Sequence, residues 1–358
     1  KRMGTNCQNQ PEVHDLTQVL RGCLRIAAPA VAFKAEAIVA PEDLMPYLGV
    51  GHHYGLVSDM AYHNELMVQL WNSIATGGAE MAQVALAEMP NKPTSATWAT
   101  YVRCHDDIGW AISDHDAEMV GVTGFEHRKY LSDFYSGAFP GSFARGLVFQ
   151  ENPVTGDRRI SGSCASLAGL EKAVEEGDEE AVELAVARIA LMYAVISGYG
   201  GVPLLYMGDE LGMFNDMHYV DDPSHAEDNR WAHRPFMDWD LAKAVETDTA
   251  SPAGRVNAAI RHILAVRTAT TQIHAATPSV PVESPEHRLL ILERNHPLGK
   301  MVQVYNFTGE TVSLRHDVLA KRVGFDAHEL LGGYDWDLRL PRIDFAPYQA
   351  AWFVGAEI

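Results

Sequence analysis

Apolar residues recur at three- and four-residue steps from Val13 to Ala27 (Val13, Leu16, Leu20, Leu24) behind Pro11. That rhythm predicts a helix, and a proline at its start suits a first turn whose N–H groups have no partner. From Pro29 to Val39 the pattern shortens to the run AVAF, ending at Lys34-Ala35-Glu36, which reads as a strand. Tyr54 to Met60 reads as a second strand, with a helix from Tyr62 to Ala75 behind it. Thr97 to Cys104 (TWATYVRC) is rich in β-branched and aromatic residues and predicts a third strand. Val202 to Met207 is the fourth, reached through a helix from Glu179 to Ile196. Asp178, Glu179 and Glu180 sit in its first turn, where the helix dipole favours them, so the run EEGDEEAVE is a solvated helix start. Strand–helix repetition of this kind predicts parallel strands, in a doubly wound sheet or a barrel.

Two regions break the rhythm. Ile108 to about Gly162 is a long excursion after the third strand, with a short helix near His127 to Tyr135. A connection that long is usually functional or a small subdomain. After a helix from Ala253 to Thr268, the stretch Ala275 to Pro285 carries Pro278, Pro281 and Pro285. Beyond it, His287 to Asn295, Met301 to Asn306, Thr311 to Leu314 and Ala350 to Val354 read as strands of a separate antiparallel β-domain. The uncharged stretch Ile189 to Gly208 could pass for a membrane span, but four glycines and Pro203 interrupt it. A buried helix ending at Ser197-Gly198, followed by a buried strand, accounts for it.

The chain has 358 residues, 47% of them hydrophobic and 21% charged, which is an ordinary globular composition. Area scaling for this size gives a folded surface of about 14,000 Å². With 28 Lys and Arg against 47 Asp and Glu, the formal charge of -19 repels phosphate backbones and anionic lipid. Neither nucleic acid nor a membrane is expected as a partner. Cys7, Cys23, Cys104 and Cys164 have no metal-ligand spacing and read as buried free thiols of a reducing compartment. The opening KRMGTNCQNQ has no apolar core of a signal peptide, so a cytoplasmic location is expected.

Acidic residues stand at the C-terminal ends of three predicted strands: Glu36, then His105-Asp106-Asp107, then Asp209-Glu210. Parallel α/β folds place their sites at those ends. Carboxylates converging there from separate strands could cleave a glycosidic bond, one protonating the leaving oxygen while others support or attack the oxocarbenium-like carbon. The alternative is that they cap the following helices, which suits Asp209 and Glu210 best.

Three strings in this order, FKAEAIVAPEDLMPYLG, TWATYVRCHDDIGW and GVPLLYMGDELG, resemble the α-amylase superfamily of glycoside hydrolases. HDDIGW, RWAHRP (Arg230 to Pro235) and FEHRKYL (Phe125 to Leu131) resemble its amylosucrase branch. The resemblance runs along essentially the whole chain. It implies the second half, strands five to eight, of a TIM (β/α)8 barrel, with an inserted subdomain and a C-terminal antiparallel β-sandwich. It also implies roles. Glu36 matches the general acid/base, Asp106 the third acid that supports the transition state, and His105 the imidazole beside it. Asp107 and Arg230 match a salt bridge that closes the glucose pocket, so a direct, bidentate contact between them is expected. Arg128 and Arg159 match residues on the acceptor side. The nucleophilic aspartate of the family precedes the position matched by Lys1, so the chain is expected to be a truncated part of an enzyme, inactive alone.

The implied boundaries are 1–107 for strands five to seven, 108–162 for the insertion, 163–275 for the last strand and its helices, and 276–358 for the β-domain. The implied activity is retaining α-glucosyl transfer or hydrolysis from sucrose, with an α-glucan or oligosaccharide as acceptor and no cofactor or metal. Alternatives are an α-glucosidase or α-amylase acting on maltooligosaccharides, and a non-catalytic glucan-binding fragment. A metal-dependent hydrolase using His52, His53, His105 and Asp106 is a further alternative, though the chain has no H-x-H pair or H-E-x-x-H helix. Trp110, Trp231 and Tyr62 could stack on sugar rings or belong to the core.

Overall fold

In the computed structural model, which describes residues 2–153 and 156–355, four short strands form one parallel sheet. They are β1 (Lys34–Ala35), β2 (Met60–Tyr62), β3 (Thr97–Tyr101) and, after the antiparallel hairpin β4 (Leu147–Glu151) and β5 (Arg158–Ser161), β6 (Val202–Leu204). The sheet order is β1-β2-β3-β6, every pairing parallel. Helices Asn64–Thr76 and Glu179–Gly198 cover it. The second is apolar along most of its length because sheets flank it on two sides, and twelve of its residues are buried. It is the one helix among the described residues long and apolar enough to cross a membrane, and the fold uses it as a core element.

Several boundaries differ from the sequence pattern. The first strand keeps only Lys34–Ala35, since the alanine-rich stretch around it has little β propensity. The second begins at Met60, because Gly51–His53 forms a 3-10 turn and Gly55 adopts a positive φ of 68° just before it. The fourth ends at Leu204.

The C-terminal part holds β7 (Val280–Pro281), β8 (Leu289–His296), β9 (Gly299–Asn306), β10 (Val312–Arg315), β11 (Asp326–Glu329), β12 (Tyr334–Asp337), β13 (Arg342–Phe345) and β14 (Ala350–Gly355). Six make one sheet, β12-β11-β14-β9-β8-β7, and β10 pairs with β13. Alternation along β9 explains how the sheet serves two cores. Val302 and Val304 face β10, β13 and the helix Asp317–Val323, while Met301 and Tyr305 face the α/β part. The second layer is thus a two-stranded ribbon plus a helix.

The described residues expose 16,760 Å² in total, above the value of about 14,000 Å² expected for a closed monomer of this mass. Part of the excess is visible at the first helix, Pro11–Ala27, which buries none of its residues and exposes Leu16, Val19, Leu20 and Ile26. Among the described residues, β1 and β6 pair on one side only. All four cysteines are free, but only Cys164 is buried. Cys7 and Cys23 are exposed, because they sit in and just before that uncovered helix.

Candidate active site

The segment after β3 bends directly into the site. Strand β3 is anchored by the Thr100 hydroxyl donating to the Ile196 carbonyl at 2.8 Å, and the Trp71 indole donates to the Val102 carbonyl at 2.8 Å. Beyond it, Ile108 bridges Ile160 by N–H···O bonds of 2.8 and 2.9 Å, which lays the β4–β5 hairpin against His105–Ile108. A cavity of about 730 Å³ opens here. Glu36, Asp106, Asp107, Arg128 and Arg159 all line it, with Tyr62, Tyr101 and Trp110.

Glu36 stands at the end of β1, half exposed, with Oε1 3.5 Å from the His105 Nε2. The Asp106 Oδ1 accepts from the Arg230 Nη1 at 2.6 Å and from the Asp107 backbone N–H at 3.1 Å. Burial works to raise the Asp106 carboxyl, but these hydrogen bonds outweigh it and hold it below the ordinary carboxylate range. Asp107 behaves oppositely. Its side chain is 4% exposed, its Oδ1 has no hydrogen-bond partner, and its Oδ2 lies 3.4 Å from the Arg159 Nη1. Burial, then the neighbouring Asp106 carboxyl, push it up to about 6. Two adjacent carboxyls thus titrate apart, Asp106 already ionised where Asp107 still holds its proton at weakly acidic pH, a separation typical of functional sites.

The expected bidentate contact between Asp107 and Arg230 is not what forms. Arg230 gives its fork to Asp228, with Nε to Oδ1 at 2.9 Å and Nη2 to Oδ2 at 2.7 Å, and approaches Asp107 only to 3.9 Å through Nη1. The reason is local: Asp228 caps the short 3-10 turn Asn229–His233, two residues before Arg230. The Arg230 guanidinium also lies over the Phe149 ring, 4.5 Å from its centroid, which ties it to the hairpin. Neither Asp228 nor Phe149 was singled out by sequence, although the Asp-x-Arg spacing of a capped turn was a readable signal for the first.

Arg128 sits at the far wall, donating to the Ile112 carbonyl at 2.8 Å and to the Asp114 Oδ1 at 3.0 Å. His105 and Arg230 stand beside the lining and reach it through Glu36 and Asp106. Trp231 stacks on His225 with ring centroids 3.6 Å apart, and Trp110 on Tyr135 at 5.3 Å. His52 and His53 face the first helix and do not line this cavity, so they form no shared site with His105 and Asp106. Asp209 is closed off, 1% exposed and paired with Arg103, while the Glu210 carboxylate accepts from the Gly208 N–H.

The cavity brings together the half-exposed Glu36 carboxyl just past β1, the hydrogen-bonded Asp106 carboxylate after β3, and arginines on two sides. Such a set can donate a proton on one flank of a sugar ring and stabilise positive charge on it.

Comparison with known proteins bears on this geometry. Residues 279–354 match the family described as "Amylosucrase, C-terminal domain". The trehalose synthase/amylase of Mycolicibacterium smegmatis is 29% identical over 213 residues, covering 60% of this chain and 30% of that protein. The glucosylglycerate phosphorylase of Allomeiothermus silvanus is 22% identical over 356 residues, covering 99% of this chain and 57% of that protein. Among solved structures, an AmyP variant in complex with maltotriose superposes with a TM-score of 0.62 at 11% identity, over 96% of this chain and 62% of the other. The chain thus spans about a third of the length of the trehalose synthase and just over half that of the phosphorylase.

Proposed function

From a chain that belongs to the α-amylase superfamily, an enzyme superfamily of glycoside hydrolases and transferases, we propose that Glu36 and Asp106 are two of the carboxyls of a retaining α-glucosyl-transferring site. The observation that carries this is their shared cavity, with Glu36 beside His105 and Asp106 clamped by Arg230. Glu36 protonates the glycosidic oxygen as the bond to the anomeric carbon breaks. In such a mechanism a carboxylate nucleophile attacks that carbon, and a covalent glucosyl intermediate forms. Glu36 then takes the proton of the incoming acceptor hydroxyl or water as it displaces the carboxylate. Asp106 stays ionised under the Arg230 hydrogen bond, fit to hold sugar hydroxyls and offset the charge of the oxocarbenium-like state. His105 orients Glu36, Asp107 and Arg230 bound the donor end, and Arg128 and Arg159 face the acceptor.

In this reading the four parallel strands are strands five to eight of a (β/α)8 barrel. Residues 108–162 are its insertion, 163–275 its last strand and helices, and 276–358 the trailing β-domain. Among the described residues β1 and β6 each keep an unpaired edge and the first helix an exposed apolar face, which supports this reading, because a closed barrel covers both. Sucrose is the proposed donor and an α-glucan or oligosaccharide the acceptor. A second reading, hydrolysis of maltooligosaccharides, is favoured by the pairing of Arg230 with Asp228, which leaves the donor end less tightly closed by Asp107. The test is product analysis by the full-length protein. Fructose release from sucrose with glucan growth supports the first reading, and maltose as the preferred substrate supports the second.

A further inference from the structure

His53 sits between two acceptors. Its Nδ1 meets the Gln18 Oε1, and its Nε2 lies 3.1 Å from the Asp15 Oδ1. A neutral imidazole has one N–H and can satisfy one of these partners only. His52 stacks beside it, ring centroids 3.8 Å apart, and one ligand atom from each of Asp15, His52 and His53 lies within 4.8 Å of the others. We propose that Asp15, His52 and His53 form a zinc-type divalent metal site that pins the first helix to the 3-10 turn Gly51–His53.

The donor set is two imidazoles and one carboxylate, which suits a borderline cation and not calcium or magnesium. Two ligands at about 2.0–2.1 Å from a tetrahedral ion are roughly 3.3 Å apart, close to the spacing of the His53 and Asp15 atoms. The metal takes the Nε2 lone pair, and the Nδ1 proton goes to Gln18. This is the arrangement in which an outer partner fixes the tautomer of a metal-bound histidine. Asp15 and Gln18 lie one turn apart on the same helix, so ligand and orienting group share a face. His14, next to Asp15, is engaged elsewhere, edge-on to Tyr47 at 5.1 Å and with Nε2 3.0 Å from the Asn9 Oδ1.

The fold gives such a tie something to do. The first helix buries no residue, and its anchors include ion pairs from Arg21 and Arg25 to Asp59, just before β2. A metal adds a further attachment, toward the helix start. The site is remote from the cavity and owes nothing to the glucosyl-transfer reading.

The experiment is calorimetric titration of the metal-stripped full chain with ZnCl2 at pH 7.5, beside the variants, with thermal unfolding in zinc and after EDTA. One zinc per chain is expected, with a Tm that rises with zinc and falls back with EDTA. His53→Ala and Asp15→Asn should each weaken binding at least about tenfold. His14→Ala should bind as the native chain does, and CaCl2 should not bind. Zinc binding unaltered in both Asp15→Asn and His53→Ala, or no binding by the native chain, overturns the proposal. Should His53→Ala fail to fold, Asp15→Asn decides alone, because Asp15 is an exposed helix position.

Discussion

Arg103 and Asp209 form an ion pair closed to solvent, with Nε 2.8 Å from Oδ1 and side chains 2% and 1% exposed. The Tyr193 hydroxyl donates to the other Asp209 oxygen at 2.9 Å, and the Arg103 Nη1 donates to the His233 carbonyl at 2.9 Å. The His233 ring accepts from the Gly162 N–H through Nδ1, and Arg234 donates to the His105 carbonyl. The pair therefore sits at the cavity wall, which Arg103 lines, and joins the end of β3, the turn after β6 and the turn that carries Arg230. Asp209 is a scaffold residue, not a spare nucleophile.

Breaking that pair should be costly. Asp209→Ala leaves the Arg103 charge buried without its partner, and loss of one partner of a buried pair typically costs about 3–5 kcal/mol. Urea unfolding should show a loss of that size, and the double variant Arg103→Met with Asp209→Leu should recover much of it. A single variant as stable as the native chain would show that the pair is not a fixed part of the fold.

Asp107 should set a pH dependence of stability. Its folded value of about 6 lies above the ordinary aspartate value of 3.8, so its contribution is fully present below about pH 4 and is lost as pH rises through 6. At about 1.4 kcal/mol per unit, this loss is on the order of 3 kcal/mol. Asp107→Asn should remove it, so the variant gains on the native chain between pH 4 and 7 in paired urea titrations. Parallel curves for the two proteins would contradict the buried, raised carboxyl.

Arg230→Ala should raise the Asp106 carboxyl. Once the Nη1 hydrogen bond is gone, burial opposes ionisation with little more than the hydrogen bonds from Asp107 to offset it. Carboxyl carbon shifts followed by NMR against pH report this directly. An unmoved titration would mean that Arg230 does not hold Asp106 in solution.

The elements legible in the sequence are those whose pattern is strong and whose partners are close. TWATY and the Glu179–Gly198 helix announce themselves by β-branched and aromatic content and by a long apolar run. Lys34–Ala35 does not, because a two-residue strand owes its existence to pairing with Met60 and Ala61. The site residues were found as strand-end carboxylates and family strings. Their partners were not, because Arg103 meets Asp209 across 106 positions and no local rhythm marks such a meeting. Asp107 shows the same limit from the other side. Its placement in the site was readable, but its orientation toward Arg159 follows from how the hairpin lies against Ile108.

Expressed as residues 1–358, the chain should show no sustained glucosyl transfer or hydrolysis. Asp209 is paired in the core, Asp107 is turned to Arg159, and Asp106 is committed to Arg230. On the proposed reading none of these three is placed as the attacking carboxylate of a retaining mechanism beside Glu36. Turnover of sucrose or maltose that survives repurification would mean that one of these groups, or water, does attack.

The central claim is that Glu36 is the proton donor, and Glu36→Gln in the full-length protein tests it most directly. Two rates are compared, one on sucrose or maltose and one on α-glucosyl fluoride, whose leaving group needs little protonation. The account predicts a fall of about 10²–10⁴-fold on the sugar leaving groups, with glucosyl-enzyme formation from the fluoride largely kept. An equal loss on both substrates, or an unchanged rate on sucrose and maltose, would contradict it.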